Sequence, residues 1–289
     1  MSSDWLDPSA VRRIVEAALS EDIGAGDITT ALTVPAGTIV NGEIVAREPG
    51  VLAGMTVTAM TFLLSDNAVA FAPKLEDGQN FHKGDILANV SGSAKGILAA
   101  ERVALNFLQR LSGIATRTAR FVELVKGTKA KITDTRKTTP GLRILEKYAV
   151  RVGGGHNHRF GLSDGVLIKD NHIIAAGGIS AAVAAAKAKA PHTLRIEVEV
   201  GTPEQLVEAI ESGADAVLLD NMSLETIRES VRRANGGVIL EVSGGVTELT
   251  VREIAETGVD IISIGALTHS VPAIDIALDL LPSTERWYA

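Results

Sequence analysis

The stretch Glu211-Ser212-Gly213-Ala214-Asp215-Ala216-Val217-Leu218-Leu219-Asp220 closes a helical pattern at a glycine, runs through four apolar residues and ends on a carboxylate. Its first seven residues recur as Glu256-Thr257-Gly258-Val259-Asp260-Ile261-Ile262, an offset of 45 residues. Short β-type runs end near Asp134, Lys169, Glu199, Asp220, Ser243 and Gly265, with helical patterns between them. The last three steps are 21, 23 and 22 residues, so the echo spans two βα units. Strands alternating with helices make a parallel sheet, and the apolar run Ala216-Val217-Leu218-Leu219 predicts cover on both of its faces. Residues 115–270 are therefore expected to form an α/β barrel of six or more units. Thr202-Pro203-Glu204-Gln205 reads as a capping box with proline at the first helical position. Ser223 and Thr247 read as caps of the next two helices.

Ahead of the barrel the rhythm is different. Residues 8–20 and 97–125 carry helical spacing, the second with a break expected near Ser112-Gly113. Residues 38–90 read as short strands, with alternation from Gly42 to Glu48 and turns at Glu48-Pro49-Gly50, Glu76-Asp77-Gly78 and His82-Lys83-Gly84. This predicts an α+β domain over residues 1–114, which the segment 271–289 rejoins.

At 46% apolar and 22% charged, 289 residues carry enough core-forming chain to exclude a disordered protein. No run approaches the ~18 consecutive apolar residues of a membrane span. The opening Met1-Ser2-Ser3-Asp4-Trp5 has no basic stretch ahead of an apolar run, so no secretory leader is expected. Zero cysteines remove disulfides, thiolate zinc sites, iron–sulfur clusters and cysteine nucleophiles together, and make the cytoplasm the simplest compartment. A formal charge of −7, with only six Phe, two Trp and two Tyr, argues against a nucleic-acid binder. Between Lys126 and His172, however, ten Lys or Arg stand against four Asp or Glu, a local +6. Such a segment in an acidic chain points to a focused site for a small anion.

In an α/β barrel the active site lies at the C-terminal strand ends. There, Asp134-Thr135-Arg136-Lys137-Thr138-Thr139-Pro140-Gly141 joins two adjacent cations to three hydroxyls and suits a phosphate or a carboxylate. Gly153-Gly154-Gly155-His156-Asn157-His158-Arg159 allows close backbone approach to a ligand, with His158 and Arg159 as anion contacts. Its two histidines have no evident third partner for a metal. Lys169 closes an apolar strand and suits either a Schiff-base nucleophile or an anion ligand. Ser243-Gly244-Gly245 and Ile264-Gly265-Ala266, after the last two strands, suit a phosphate held by backbone N–H groups. Glu199 and Asp220 suit either Mg²⁺ bound through water or ribose hydroxyls. The plain alternatives are solvated loops, a lysine reaching solvent and glycines used for packing.

These residues, in this order, resemble the quinolinate phosphoribosyltransferase family over nearly the whole chain. The likeness begins at Glu21-Asp22 and Asp27-Ile28-Thr29-Thr30, and continues through Glu101-Arg102-Val103-Ala104-Leu105-Asn106 and Leu111-Ser112-Gly113-Ile114-Ala115-Thr116. Further motifs are Asp134-Thr135-Arg136-Lys137-Thr138, Pro140-Gly141-Leu142-Arg143, Lys147-Tyr148-Ala149-Val150, Asn157-His158-Arg159 and Ile168-Lys169-Asp170-Asn171-His172. Glu197-Val198-Glu199-Val200, Leu218-Leu219-Asp220-Asn221 and Ser243-Gly244-Gly245 complete it. The resemblance implies an N-terminal α+β open sandwich, an incomplete C-terminal α/β barrel and a homodimer, with assembly beyond the dimer left open. It implies conversion of quinolinate and phosphoribosyl pyrophosphate to nicotinate mononucleotide, pyrophosphate and CO₂, with Mg²⁺, in NAD biosynthesis. Arg102, Arg136, His158, Arg159 and Lys169 would then bind the quinolinate carboxylates, with Arg102 reaching across the dimer and Thr135 in the same substrate loop. Lys137 would face the phosphoribosyl pyrophosphate, Glu199 and Asp220 the ribose and Mg²⁺. Ser243-Gly244-Gly245 and Ile264-Gly265-Ala266 would take the 5-phosphate. The rival readings are a Schiff-base barrel lyase using Lys169, an anion-binding module, and a related phosphoribosyltransferase acting on another nitrogen base.

Overall fold

The computed structural model describes residues 6–282. Residues 1–5, read above for a leader, and 283–289, part of the segment expected to rejoin the first domain, lie outside the described residues. In chain order the elements begin with α1 (Pro8–Ile23), α2 (Ile28–Thr33), β1 (Ile39–Ala46), β2 (Gly50–Val51), α3 (Met55–Ser65), β3 (Ala70–Pro73), β4 (Asn80–Phe81) and β5 (Ile86–Ser93). The long helix α4 (Ala94–Leu124) leads to β6 (Lys131–Thr133), α5 (Arg143–Val152), β7 (Val166–Ile168), α6 (Asp170–Ala176) and α7 (Ile179–Lys189). Then come β8 (Ile196–Val200), α8 (Pro203–Glu211), β9 (Ala216–Asp220), α9 (Leu224–Ala234) and β10 (Ile239–Ser243). The chain closes with α10 (Val251–Glu256), β11 (Ile261–Ser263), α11 (Ala266–His269) and β12 (Ile276–Leu280). Two compact units result: one takes the chain up to Arg117, Thr139–Gly154 and the chain from Ser270, the other Thr118–Thr138 and Gly155–His269.

The first unit is built on an antiparallel sheet in the order β12-β1-β5-β3, with β2 and β4 as a separate pair. Gly42 lies opposite Leu280, so the described part of the C-terminal segment does return to the first strand. Ile44, Leu87, Ala88 and Val90 of the sheet pack with Phe62 and with Ile97, Ala104 and Leu108 of α4 in one core. Residues 55–65, read as strand, are instead the helix α3. Their β-branched residues and lack of a polar face disguise a helix that is buried on several sides, at Met55, Val57, Thr58, Thr61 and Phe62. Its start is held from outside by Asp77, which accepts the N–H groups of Gly54 and Met55 and the hydroxyl of Tyr148. Burial, followed by the charge of Asp77, pushes the Tyr148 phenol above its ordinary value. The short helix α2 is not predicted by the sequence pattern; Asp27 caps it by accepting the Thr30 N–H.

The expected break at Ser112-Gly113 does not occur. Ser112 is fully buried and its hydroxyl accepts the Ala53 N–H, while a Cβ at Gly113 would lie 2.4 Å from the Pro272 carbonyl oxygen. Both residues are small because other segments press on them. Helix α5, expected within the barrel, packs in the first unit. There its buried Glu146 accepts from Arg110 and from the Thr139 N–H.

The second unit carries a parallel sheet in the order β6-β11-β10-β9-β8-β7. One parallel bridge, Thr133 to His156, extends it beyond β6. Among the described residues no strand pairing joins that end to β7, so the barrel stays open. Among the described strands of this sheet, β7 is apolar throughout and β9 is apolar up to its closing Asp220, whereas β8 and β10 carry glutamates between their apolar residues. Val198, Val217, Leu219, Leu240, Val242 and Ile262 are buried on one face. Strand alternation puts Glu197, Glu199, Asp220, Glu241, Ser243, Ser263 and Thr133 on the other. Register aligns Asp220 with Ser243, Ser243 with Ser263, and Ser263 with Thr133, so the polar row lies along one edge. Thr202 and Ser223 cap α8 and α9 as expected, although the Gln205 side-chain carbonyl takes the N–H of Gly201 rather than that of Thr202. Thr247 does not cap α10; Thr250 holds the N-cap position without a side-chain cap bond, and its hydroxyl accepts the Thr247 N–H in the preceding turn.

Candidate active site

Each expected strand-end residue of the second unit lies at the C-terminal end of its parallel strand or just beyond it. Asp134, which follows β6, is fully buried and accepts from Asn157 Nδ2 at 2.6 Å and from the His158 N–H at 2.9 Å. It braces the turn that presents His158 and Arg159.

Four cations line this edge. Arg159 is half-buried, lies over Gly165 and donates to that residue's carbonyl at 3.0 Å; a Cβ on Gly165 would meet the arginine's own Cβ at 3.2 Å. Its Nε is buried without a protein partner among the described residues. Burial and then the charge of Arg136 lower its pKa, so two guanidinium groups share one neighbourhood. Lys137 lies against the second glycine turn, since a Cβ on Gly265 would be 3.1 Å from Lys137 Cδ. Thr268 pins that loop by donating its hydroxyl to the Lys137 carbonyl at 2.7 Å, while the Thr135 hydroxyl accepts the Lys137 N–H at 3.0 Å. Lys169, half-exposed at the end of β7, pairs with Glu199.

Gly244 (φ 94°) and Gly245 (φ 62°) form an exposed turn after β10 that only glycine adopts without strain. Ile264 is buried and its N–H is engaged by the Thr133 carbonyl, which leaves Gly265 and Ala266 of that trio to face a ligand. Glu199 pairs in register with Leu218, two residues before Asp220 on the same face. The two carboxylates are thus diagonal neighbours at roughly 7–8 Å. Half-buried oxygen donors at that spacing fit a hard divalent cation held through water. Arg102 belongs to the first unit, where it is exposed on α4; every other candidate belongs to the second.

Glu197 and Glu241 were given no role by sequence. His158 Nε2 lies 3.3 Å from Glu197 and 3.7 Å from Glu241, while its Nδ1 accepts the Arg159 N–H at 2.7 Å. Burial first, then the charges of Glu197 and Asp134, drive the Glu241 carboxyl up to about 7, against the opposing pull of His158 and the nearby Ser263 hydroxyl. The signal in the sequence was a lone glutamate inside Ile239-Leu240-Glu241-Val242.

A parallel sheet with clustered cations, glycine turns and two oxygen-donor carboxylates at one edge defines an α/β protein that handles a multiply anionic ligand. Residues 27–112 match the N-terminal domain of quinolinate phosphoribosyl transferase and residues 114–279 its C-terminal domain. The chain belongs to the quinolinate phosphoribosyltransferase family. It is 47% identical to a probable nicotinate-nucleotide pyrophosphorylase [carboxylating] of Bacillus subtilis, covering 92% of this chain and 91% of that one. It is likewise 47% identical to the nicotinate-nucleotide pyrophosphorylase [carboxylating] of Mycobacterium leprae, covering 94% and 97%. The crystal structure of NadC from Streptococcus pyogenes superposes with a TM-score of 0.91 at 42% identity, over 96% of this chain and 99% of that one.

Proposed function

We propose that this chain is the phosphoribosyltransferase of its family's reaction: quinolinate and phosphoribosyl pyrophosphate give nicotinate mononucleotide, pyrophosphate and CO₂, in NAD biosynthesis. The observation that carries the reading is the meeting of Arg136, Arg159 and Lys169 with the Gly244-Gly245 and Gly265 turns at one sheet edge. Arg136, Arg159 and Lys169 hold the two carboxylates and aim the pyridine nitrogen at C1 of the ribose. That nitrogen has its own lone pair, so no general base is needed. The N–C1 bond forms as the C1–O bond to pyrophosphate breaks, through a state with positive charge on the ribose that Glu199 and Asp220 face. Lys137 meets the departing pyrophosphate, and the backbone N–H groups of Gly244, Gly245 and Gly265 take the 5-phosphate. Mg²⁺ held by Glu199 and Asp220 through water would add positive charge at the leaving group. The pyridinium ring then receives the electron pair as CO₂ leaves the adjacent carbon, which takes a proton from solvent.

The active form is a homodimer in which Arg102 serves the neighbouring copy's pocket. Its exposure supports this, as does α2, which presents Ile28 and Leu32 to solvent at 73% and 81% exposure. No helix of the described residues is long and apolar enough to cross a membrane. A cysteine-free chain suits the cytoplasm, where we place the reaction.

The test is CO₂ release by purified protein, dependent on both substrates. Nicotinate, lacking the second carboxylate, should be a poorer substrate. Leaving a partly buried cation pair unmatched costs about 3 kcal/mol, roughly a hundredfold in kcat/KM. Comparable kcat/KM for the two acids would mean that another nitrogen base is the substrate.

A further inference from the structure

Among the described residues, two hold a positive φ without being glycine: Asn221 at 52° and Asn235 at 44°. Asn235 is the C-cap of α9, a common place for left-handed backbone. Asn221 terminates no helix. It follows β9 directly, next to Asp220, in a conformation that carries a local cost and therefore needs a reason.

Its polar groups supply one. The Asn221 N–H donates to the Ser243 carbonyl at 2.9 Å, and its Nδ2 donates to Asp220 Oδ2 at 2.9 Å. Its Oδ1 lies against the next turn, so close that a Cβ on Gly244 would be 2.2 Å away. One asparagine thus holds the carboxylate at the end of β9 and packs on the glycine turn after β10. An extended residue here would direct its side chain elsewhere; the left-handed twist is what folds the amide back onto both neighbours. Asparagine tolerates that twist better than other residues with a side chain, and its amide can donate to a carboxylate.

We propose that Asn221 is a positioning residue for the phosphoribosyl pyrophosphate half of the site. By holding Oδ2 of Asp220 it leaves Oδ1 to the ligand. By packing on Gly244 it keeps the Ser243-Gly244-Gly245 turn in register with that carboxylate, so the ribose and its 5-phosphate meet a preset pair of contacts. The proposal rests on the function assigned above.

Asn221→Gly tests it, because glycine keeps the left-handed backbone without strain and removes only the amide. Asn221→Asp keeps the shape but replaces the donor with a charge that repels Asp220. Both are to be compared with wild type by steady-state kinetics in each substrate, by calorimetric binding of phosphoribosyl pyrophosphate with Mg²⁺, and by thermal melting. Asn221→Gly should melt close to wild type, keep its KM for quinolinate, and raise both KM and Kd for phosphoribosyl pyrophosphate about tenfold, the loss of one charge-assisted hydrogen bond. Asn221→Asp should raise them further. Unchanged phosphoribosyl pyrophosphate affinity in either variant, or equal losses for both substrates, overturns the proposal. Wild-type protein that fails to turn the two substrates over would instead overturn the function beneath it.

Discussion

At 2% exposure and beside Glu197, the carboxyl of Glu241 gives up its proton less readily than one in water, near pH 7 rather than 4.5. Between those values the folded protein binds more protons than the unfolded chain, so this group's stabilising contribution is complete below pH 4.5 and is lost as pH rises through 7. Glu241→Gln resembles the protonated form at every pH. It should match wild type in thermal melts at pH 4.5 and exceed it at pH 8, by at most about 3 kcal/mol. Equal stability at pH 8 would show that the ionised carboxylate is compensated in the fold. Sequence makes Glu199 and Asp220 legible because they lie at the ends of strands, where an active site is expected. Glu241 was not legible, because its isolation comes from His158 and Glu197, which approach it from other strands and loops. Asp134 was noticed for its motif, yet its work of bracing His158 and Asn157 depends on a turn more than twenty residues away.

At the scale of elements, the βα rhythm and the 45-residue echo were enough for the parallel sheet, because each unit repeats the same local pattern. Helix α3 was lost to the opposite cause: its apolar residues have no helical stripe, and Asp77, which supports its start, lies beyond its far end in sequence. Helix α4 runs through the break expected near Ser112-Gly113, since a glycine inside a helix reads as a breaker unless a neighbouring segment demands it. Gly113→Ala separates the two accounts. Helix propensity alone favours alanine by about 1 kcal/mol. Against that, the new Cβ would lie 2.4 Å from a backbone oxygen of Pro272, which cannot swing aside as a side chain does. Overpacking of this kind costs about 1–3 kcal/mol, and contact with backbone places it at the upper end. The variant should therefore unfold at a lower denaturant midpoint than wild type. A higher midpoint would mean that the segment after Ser270 yields without cost.

At the scale of the whole molecule, the chain divides its chemistry unequally. Arg102 sits in the first unit, while Arg136, Arg159, Lys169, Glu199, Asp220 and the glycine turns all belong to the second. In the dimer proposed here, each pocket takes its Arg102 from the other copy, so a pocket needs two intact contributions from two chains. Arg102→Ala and Lys169→Ala should each be inactive alone, because every pocket of either variant lacks one cation. In a mixed dimer the two defects fall together in one pocket and leave the other pocket complete. Random pairing makes half of the dimers mixed, each with one working pocket of two, so an equimolar mixture should reach about a quarter of wild-type activity. The measurement is quinolinate-dependent CO₂ release after co-refolding, with heterodimers verified by differently tagged chains. Restored activity requires sharing between chains, because no combination of defects within one chain can complement itself. If verified heterodimers stay inactive, Arg102 acts within its own chain or outside the pocket, and the exposed apolar pair on α2 must serve some other contact.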